Sequence, residues 1–364
     1  VAVTGGRSRR GAALGLVLVA LVLIGALGGL AVGAARRDRH EATIALRSIR
    51  ALAAAESGIA SALAAWPAGD AGALAPGAYV ELAAVAVAPG DSFALTVARL
   101  AGELFLVRSE GRAGSARRTV AQLVRIHPAA LLPEAALASL GAVRLDSAAV
   151  SGEDSASAGW GAWCSGGPAP DVAGVRVGDA ASVSADPGCA GLTCLAGAPP
   201  LLADTALSGR RAGFLAAFDS VAARADRVAV GDVAPAPSAD ASGCAVAQAS
   251  NWGEPDAAVP QCAGWLPVVV APGNLRLVGG RGQGVLLVRG DLELDGGAEF
   301  VGPVVVLGTL RIAASGGRIL GGVLAFGGAE LTAGAVVRAA CAVRRGAWTG
   351  ARPRPLTGGW VELD

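Results

Sequence analysis

Apolar residues fall into three patterns of different period along this chain. The first is an unbroken run, GAALGLVLVALVLIGALGGLAVGAA, from Gly11 to Ala35, without a charge. A helical rise of 1.5 Å per residue makes it about 37 Å long, more than the roughly 30 Å of a bilayer hydrocarbon core. Cleaved secretory signals have shorter apolar stretches that end in a small-residue cleavage box, so the run reads as a retained membrane span. Arg7, Arg9 and Arg10 precede it; Arg36, Arg37 and Arg39 follow, interleaved with Asp38 and Glu41. Positive-inside logic puts the N-terminus in the cytoplasm. Beyond this collar Ala42, Ala45, Ile49, Leu52, Glu56, Ile59, Leu63 and Trp66 alternate in steps of three and four. That seam predicts one continuous helix, roughly 80 Å long, that buries a stripe against a sheet or a second helix. Pro67 and Gly69 end it. Glu56, on the seam, reads as an edge carboxylate reaching water rather than a contact with a neighbouring subunit.

The second pattern has period two. Tyr79–Val87, Phe93–Leu100, Glu103–Ser109 and Thr119–Ile126 read as strands, separated by Pro89-Gly90, Ala101-Gly102 and a Gly/Ser-rich bend at 111–115. Four strands with tight connections predict an antiparallel meander whose apolar face covers the helix seam. His127-Pro128 opens a linker through Ala136.

The third pattern is a repeat. Gly273-Asn-Leu-Arg-Leu277, Gly290-Asp-Leu-Glu-Leu294, Gly308-Thr-Leu-Arg-Ile312 and Gly327-Gly-Ala-Glu-Leu331 align without gaps. A short apolar run precedes each Gly, and Gly pairs lie between the repeats. Stacked rungs of about 17–19 residues, each turning at a glycine, predict a parallel β-helix (β-solenoid). An earlier match, Gly141-Ala-Val-Arg-Leu145, predicts that the stack starts before an Ala-, Pro- and Ser-rich excursion at 153–266. That excursion carries a helical stretch, about 211–228, and is expected to cap or flank the stack. The outward positions Arg276, Glu293, Arg311 and Glu330 alternate in sign and predict a ladder of ion pairs. The fold class is therefore α+β: a leader at 1–11, a long helix at 12–66, a small antiparallel sheet at 67–127 and a β-solenoid-like part at 128–364.

Composition sharpens this picture. The chain has 364 residues, 53% hydrophobic and 16% charged, which excludes a disordered polyelectrolyte. It contains no Lys and no Met, a bias of a GC-rich coding sequence, and Val1 reads as a valine-type start. The net charge of +1 provides no global field for nucleic acid. His40 and His127 are too far apart in sequence to suggest a paired site, so neither a metal nor a cofactor is expected. The six cysteines, all between Cys164 and Cys341, lack paired CxxC spacing and read as disulfides of an exported segment. Closing the aperiodic loop between Cys244 and Cys262 removes loop entropy worth about 3 kcal/mol, which makes that the first pairing expected. Cys189 with Cys194 is second, and Cys164 with Cys341 follows by elimination.

The order Arg-rich leader, Arg10-Gly11, apolar stretch, ARRDRHEAT collar and ALRSIRALAAAESGIASAL resembles the N-terminal domain of PilX-type pilus assembly proteins, the minor-pilin-like family of type IV pili and related secretion systems. The run from Ser250 to Ile312, with Asn251, Trp252, Gly253, Pro255, Cys262 and Ala271-Pro272-Gly273 as markers, resembles C-terminal regions of long PilX-like envelope proteins. The resemblance implies cleavage by a prepilin peptidase between Gly11 and Ala12. It also implies a single-pass protein of the inner membrane with its bulk periplasmic or in a filament, and other pilin-like subunits or assembly-platform proteins as partners. Major pilins carry Glu at the fifth mature position. Leu16 stands there instead, which fits a rare tip or priming component.

Other motifs have structural explanations. Arg289-Gly290-Asp291 lies at a repeat corner. GGRGQGV at 279–285 has no Lys and no helix after it, so it reads as a bend. Glu153, Asp154, Asp171, Asp179 and Asp186 are scattered in loops and form no catalytic pair. The reading is thus a non-enzymatic assembly component; the alternative is a membrane-anchored β-helix adhesin or glycan-binding protein.

Overall fold

The computed structural model describes residues 10–66, 71, 74–127, 133–155, 169–256, 258–349 and 352–363. Helix α1, Arg10–Ala64, is 55 residues long. From Leu14 on, its apolar first half is exposed throughout: Leu16 is 74% exposed and Leu30 71%. By length and composition this half can cross a membrane. The second half packs on a sheet, following the expected seam at Leu52, Ile59, Leu63 and Trp66 but leaving it at Ile49 and Glu56. Ala51, Ala54, Ala55, Gly58, Ile59 and Ala62 are buried, while Ile49 and Glu56 are exposed. The cause is size. A Cβ on Gly58 would collide with the Ser109 hydroxyl, and one on Gly111 would collide with the Ala51 carbonyl. The helix therefore lies close to the sheet along its smallest residues. Leu52, Leu63 and Trp66 pack at the flanks of that contact.

The sheet consists of β1 (Tyr79–Ala88), β2 (Asp91–Ala101), β3 (Leu104–Ala113) and β4 (Ala116–His127), consecutive and antiparallel. Phe93, Leu95, Val97, Phe105, Val107, Val120 and Val124 alternate onto its helix side. A fifth strand completes the sheet. Arg352–Leu363, at the end of the chain, pairs antiparallel with β4, and Arg352 lies opposite His127. Pro353 and Pro355 hide this strand from a period-two search, yet prolines are tolerated on the edge strand it forms. Everything between β4 and this strand is thus an insertion whose two ends are neighbours.

The insertion is built from parallel strands in register. In one ladder 268–271 pairs with 285–288, then 304–306, 323–325, 137–139, 175–177 and 201–203. In a second, 231–233 is followed by 275–277, 292–294, 310–312, 329–331, 143–145 and 183–185. A third runs through 281–283, 299–301, 318–320, 335–337 and 149–151. Inward Val, Leu and Ile of all three ladders share one core.

One expectation holds and one needs correction here. The Gly141 segment joins the ladders before 153–266, as expected, and its neighbour there is the rung of Gly327. The segment 153–266 is not simply an excursion, because 173–185 and 195–203 add rungs beyond 135–151, and 227–233 adds the first rung at the other end. Sequence order cannot reveal this, because the chain winds outward, returns along the stack and winds up to meet itself.

The return is made by helix α2, Arg211–Ala222. Phe214, Phe218 and Val221 lie over Val268, Val285, Val305 and Leu324 on the outer side of the first ladder. Helix α3, Ala340–Thr349, covers the third through Ala342 against Val301 and Leu320. Its first free N–H, at Ala340, is accepted by Asp154 at 2.7 Å.

The corner glycines are explained by close approach. A Cβ at Gly308 would lie 2.6 Å from the carbonyl oxygen of Gly290, and one at Gly327 2.7 Å from that of Gly308. The residue after each of the first two corners brackets the next rung. Asn274 Oδ1 accepts the Asp291 N–H (2.9 Å), and Asp291 Oδ1 accepts the Thr309 N–H (2.8 Å).

Candidate functional site

Two surfaces stand out from this fold: the bare half of α1 and the outer side of the second ladder. The latter, uncovered by either α2 or α3, carries Asp232, Arg276, Glu293, Arg311, Glu330 and Arg144 at equivalent positions of successive rungs. Six charges alternate without a break. Arg276 approaches Glu293 at 3.2 Å and Asp232 at 3.7 Å, and also bonds Asp295. Arg311 reaches Glu330 at 3.0 Å and Asp291 at 2.9 Å; Arg144 reaches Asp186 at 2.9 Å.

These contacts hold the groups in their charged forms. Hydrogen bonding to Asp295, then its charge, raises the pKa of Arg276, and hydrogen bonds to Asp291 and Glu330 raise that of Arg311. The Thr309 N–H, then Arg311, holds Asp291 below the usual carboxylate range; the Ser315 hydroxyl and Gly296 N–H do the same for Asp295. A shallow depression of about 180 Å³ lies on this face between Asn274, Arg276, Asp291 and Arg311. Its cations and carboxylates are already paired with one another.

The four residues named from the repeat, Arg276, Glu293, Arg311 and Glu330, are brought together. Asp232 and Arg144 were missed as its ends, although a signal for Arg144 existed. It occupies the same offset after Gly141 as Glu330 does after Gly327. Placed in sequence order it would abut Arg276, a like charge; only beside Glu330 does the alternation continue.

Cys244 and Cys262 form a disulfide with Cα atoms 4.8 Å apart, and Cys189 and Cys194 one with Cα atoms 5.2 Å apart. Cys341 is disulfide-bonded, and Cys164 lies outside the described residues. Residues around the first bridge hold its loop to the stack. Asn251, buried, donates to the Ser238 and Ala245 carbonyls and accepts from the Gly253 N–H. Gly253 has a φ of +79°, and Trp252 is buried in the common core. The Glu254 carboxylate, 3% exposed, accepts the Asp256 and Val259 N–H groups. Gln283 donates to the Trp265 carbonyl at 2.9 Å. Glu254 and Gln283 were not singled out for this role; a polar residue inside an otherwise apolar ladder was the available signal for Gln283.

The remaining motifs serve the fold. Arg289 pairs with Asp219 of α2 at 2.9 Å and lies over the Phe218 ring, while Asp291 brackets Thr309. Gly279, Gly280 and Gly284 have positive φ, as a bend requires. Asp154 and Asp186 are engaged by Ala340 and Arg144; Glu153, Asp171 and Asp179 remain exposed. Among the described residues no three His, Cys, Asp or Glu side chains group to hold a metal. Gly11 and Ala12 lie within α1, and nothing further is described of their surroundings. A cavity of about 310 Å³ lies where the sheet meets the stack, between Leu63, Trp66, Arg224, Asp226, Trp265 and Pro353.

No family model matches the chain. No curated protein matches it either. Among solved structures it is similar to the competence-associated pilin ComZ from Thermus thermophilus, at 13% identity, over 87% of this chain and 97% of that one, with a TM-score of 0.25. A likeness this loose carries no argument about fold or function.

Proposed function

We propose that the protein is a non-enzymatic assembly component of a pilus or secretion system, PilX-like. In this reading α1 anchors it in the inner membrane, its N-terminus is cytoplasmic, and a β-solenoid inserted into its sheet is displayed on the far side. The observation that carries this is the division of α1. One continuous helix is apolar and bare over its first half and buried through small residues over its second, so the folded part is rigidly joined to a membrane-length rod. Parallel ladders in constant register support the solenoid reading. A charged face whose groups satisfy one another suits a displayed surface better than a catalytic cleft.

On this reading a prepilin peptidase cuts between Gly11 and Ala12, and the partners are the membrane, pilin-like subunits and assembly-platform proteins. The test is extraction and N-terminal sequencing of the full chain expressed in a cell that makes a prepilin peptidase. We expect the protein to stay in the membrane pellet at alkaline pH and to begin at Ala12. Release by carbonate, or a mature protein beginning beyond Ala35, would refute the anchor.

A further inference from the structure

The charge of this near-neutral chain is divided. Residues 36–127 hold 11 Arg against 8 Asp and Glu, whereas 133–349 hold 14 Arg against 19 Asp and Glu. The positive excess has a definite place. On the side of the five-stranded sheet facing away from α1, Arg108, Arg112, Arg117, Arg125 and Arg354 are all exposed. Arg125 lies directly opposite Arg354 on the neighbouring strand, and Arg112 directly opposite Arg117. Like charges directly opposite in a sheet destabilise it, and two such pairs share one face here. Arg112 and Arg117 share Glu110. Among the described residues Arg108, Arg125 and Arg354 meet no carboxylate. Arg117 and Arg125 are eight residues apart on β4, so the stripe is about 27 Å long.

The negative excess also has a definite place. The segments 145–155 and 169–204, which add the last rungs of the stack, contain seven acidic residues against Arg176, and of the seven Asp186 pairs with Arg144 and Asp204 with Arg176 and Arg210. Of these, Glu153, Asp171 and Asp179 are exposed and, among the described residues, meet no arginine. Arg47, beside Gly114 at the near end of the sheet, is 12 residues or about 18 Å of helix past the apolar run, so a bilayer crossed by that run ends short of the arginine stripe. Successive contacts of α1 climb β3, from Gly111 at Ala51 to Ser109 at Gly58 and Phe105 at Trp66, so this sheet face runs alongside the helix axis.

We infer that the arginine stripe receives the acidic end rungs of a second copy of this chain, through Glu153, Asp171 and Asp179 of 145–155 and 169–204. The two surfaces differ, so the contact is heterologous and can continue from copy to copy as an open chain. The contact stands on charge complementarity; only its use in a filament rests on the assembly reading above.

The test uses the full chain in detergent micelles, with two differently tagged copies mixed at about 20 mM and about 300 mM salt. A photo-cross-linking residue replaces Leu106, which shares the stripe's face. We expect inter-copy cross-links mapping to 145–155 and 169–204 that fade at the higher salt. Arg125→Glu with Arg354→Glu in both copies should weaken association by about tenfold or more, and so should Asp171→Arg with Asp179→Arg. Mixing one reversed variant with the other should restore it, a rescue that misfolding cannot produce. A monomer at low salt, cross-links confined to α1, or capture of nucleic acid or acidic glycan by a chain that stays monomeric would overturn the inference. Carbonate extraction of a protein that still makes this contact would refute the anchor alone.

Discussion

Asp291 does two jobs with one carboxylate: Oδ1 accepts the N–H of the next rung, and Oδ2 meets Arg311. Its sister Asn274 does only the first. That contrast isolates the ionic part. Because the folded pKa of Asp291 lies below its ordinary value, the group stabilises the fold above the unfolded pKa, near 4, and loses that stabilisation as pH falls through the folded value. Asp295 acts in the same direction. The stack should therefore weaken progressively as pH falls below about 4. Asp291→Asn keeps an oxygen for Thr309, so it should leave the fold intact and make this acid loss shallower. Denaturant titrations of both proteins at neutral and acid pH measure it; equal acid sensitivity would refute the ionic role. At this scale much was legible, since the alternation of Arg276, Glu293, Arg311 and Glu330 follows from the repeat alone. Asp232 was not, because the two-residue step from Gly231 to Val233 carries none of the repeat's apolar signature.

Among elements, legibility followed the size of the side chains that make contact. Large alternating residues betrayed β1 to β4, and the apolar run betrayed the first half of α1. The buried face of the second half was only partly legible because Ile49 outweighs Ala51, Ala54 and Gly58 on any hydrophobicity scale, whereas the sheet selected those small residues between Leu52 and Ile59. The terminal strand was missed because two prolines and a Gly pair break its alternation. The helix–sheet contact should accordingly be sensitive to bulk. Gly58→Leu places a side chain against Ser109 and Phe93 and should destabilise the sheet unit by about 1–3 kcal/mol. Limited proteolysis should then cut β1 to β4 sooner, while the stack, which does not contact Gly58, keeps its protection. Unchanged protease resistance of the sheet would refute the close approach.

The whole molecule is a sheet unit interrupted by a stack, and this topology lies beyond local pattern. Nothing near His127 announces that its partner is Arg352, and nothing near Gly141 announces that its neighbour is Gly327. Both pairings are between residues far apart in sequence, fixed by where the chain ends up after α2 carries it back. The insertion leaves a specific consequence. His127 and Arg352 are paired on adjacent antiparallel strands, so a turn of two to four residues suffices to connect them. Among the described residues, the core of the sheet unit, from Ala55 and Ile59 to Phe105 and Val124, draws on none of the stack. Replacing 128–351 by such a turn should therefore leave α1 and the five strands folded as a hairpin-closed sheet, still carried by the same apolar rod. Hydrogen exchange should find the amides of β2 and β3 as protected as in the full chain. If those amides instead exchange freely, the sheet depends on the stack for its stability, and the interrupted-unit description fails.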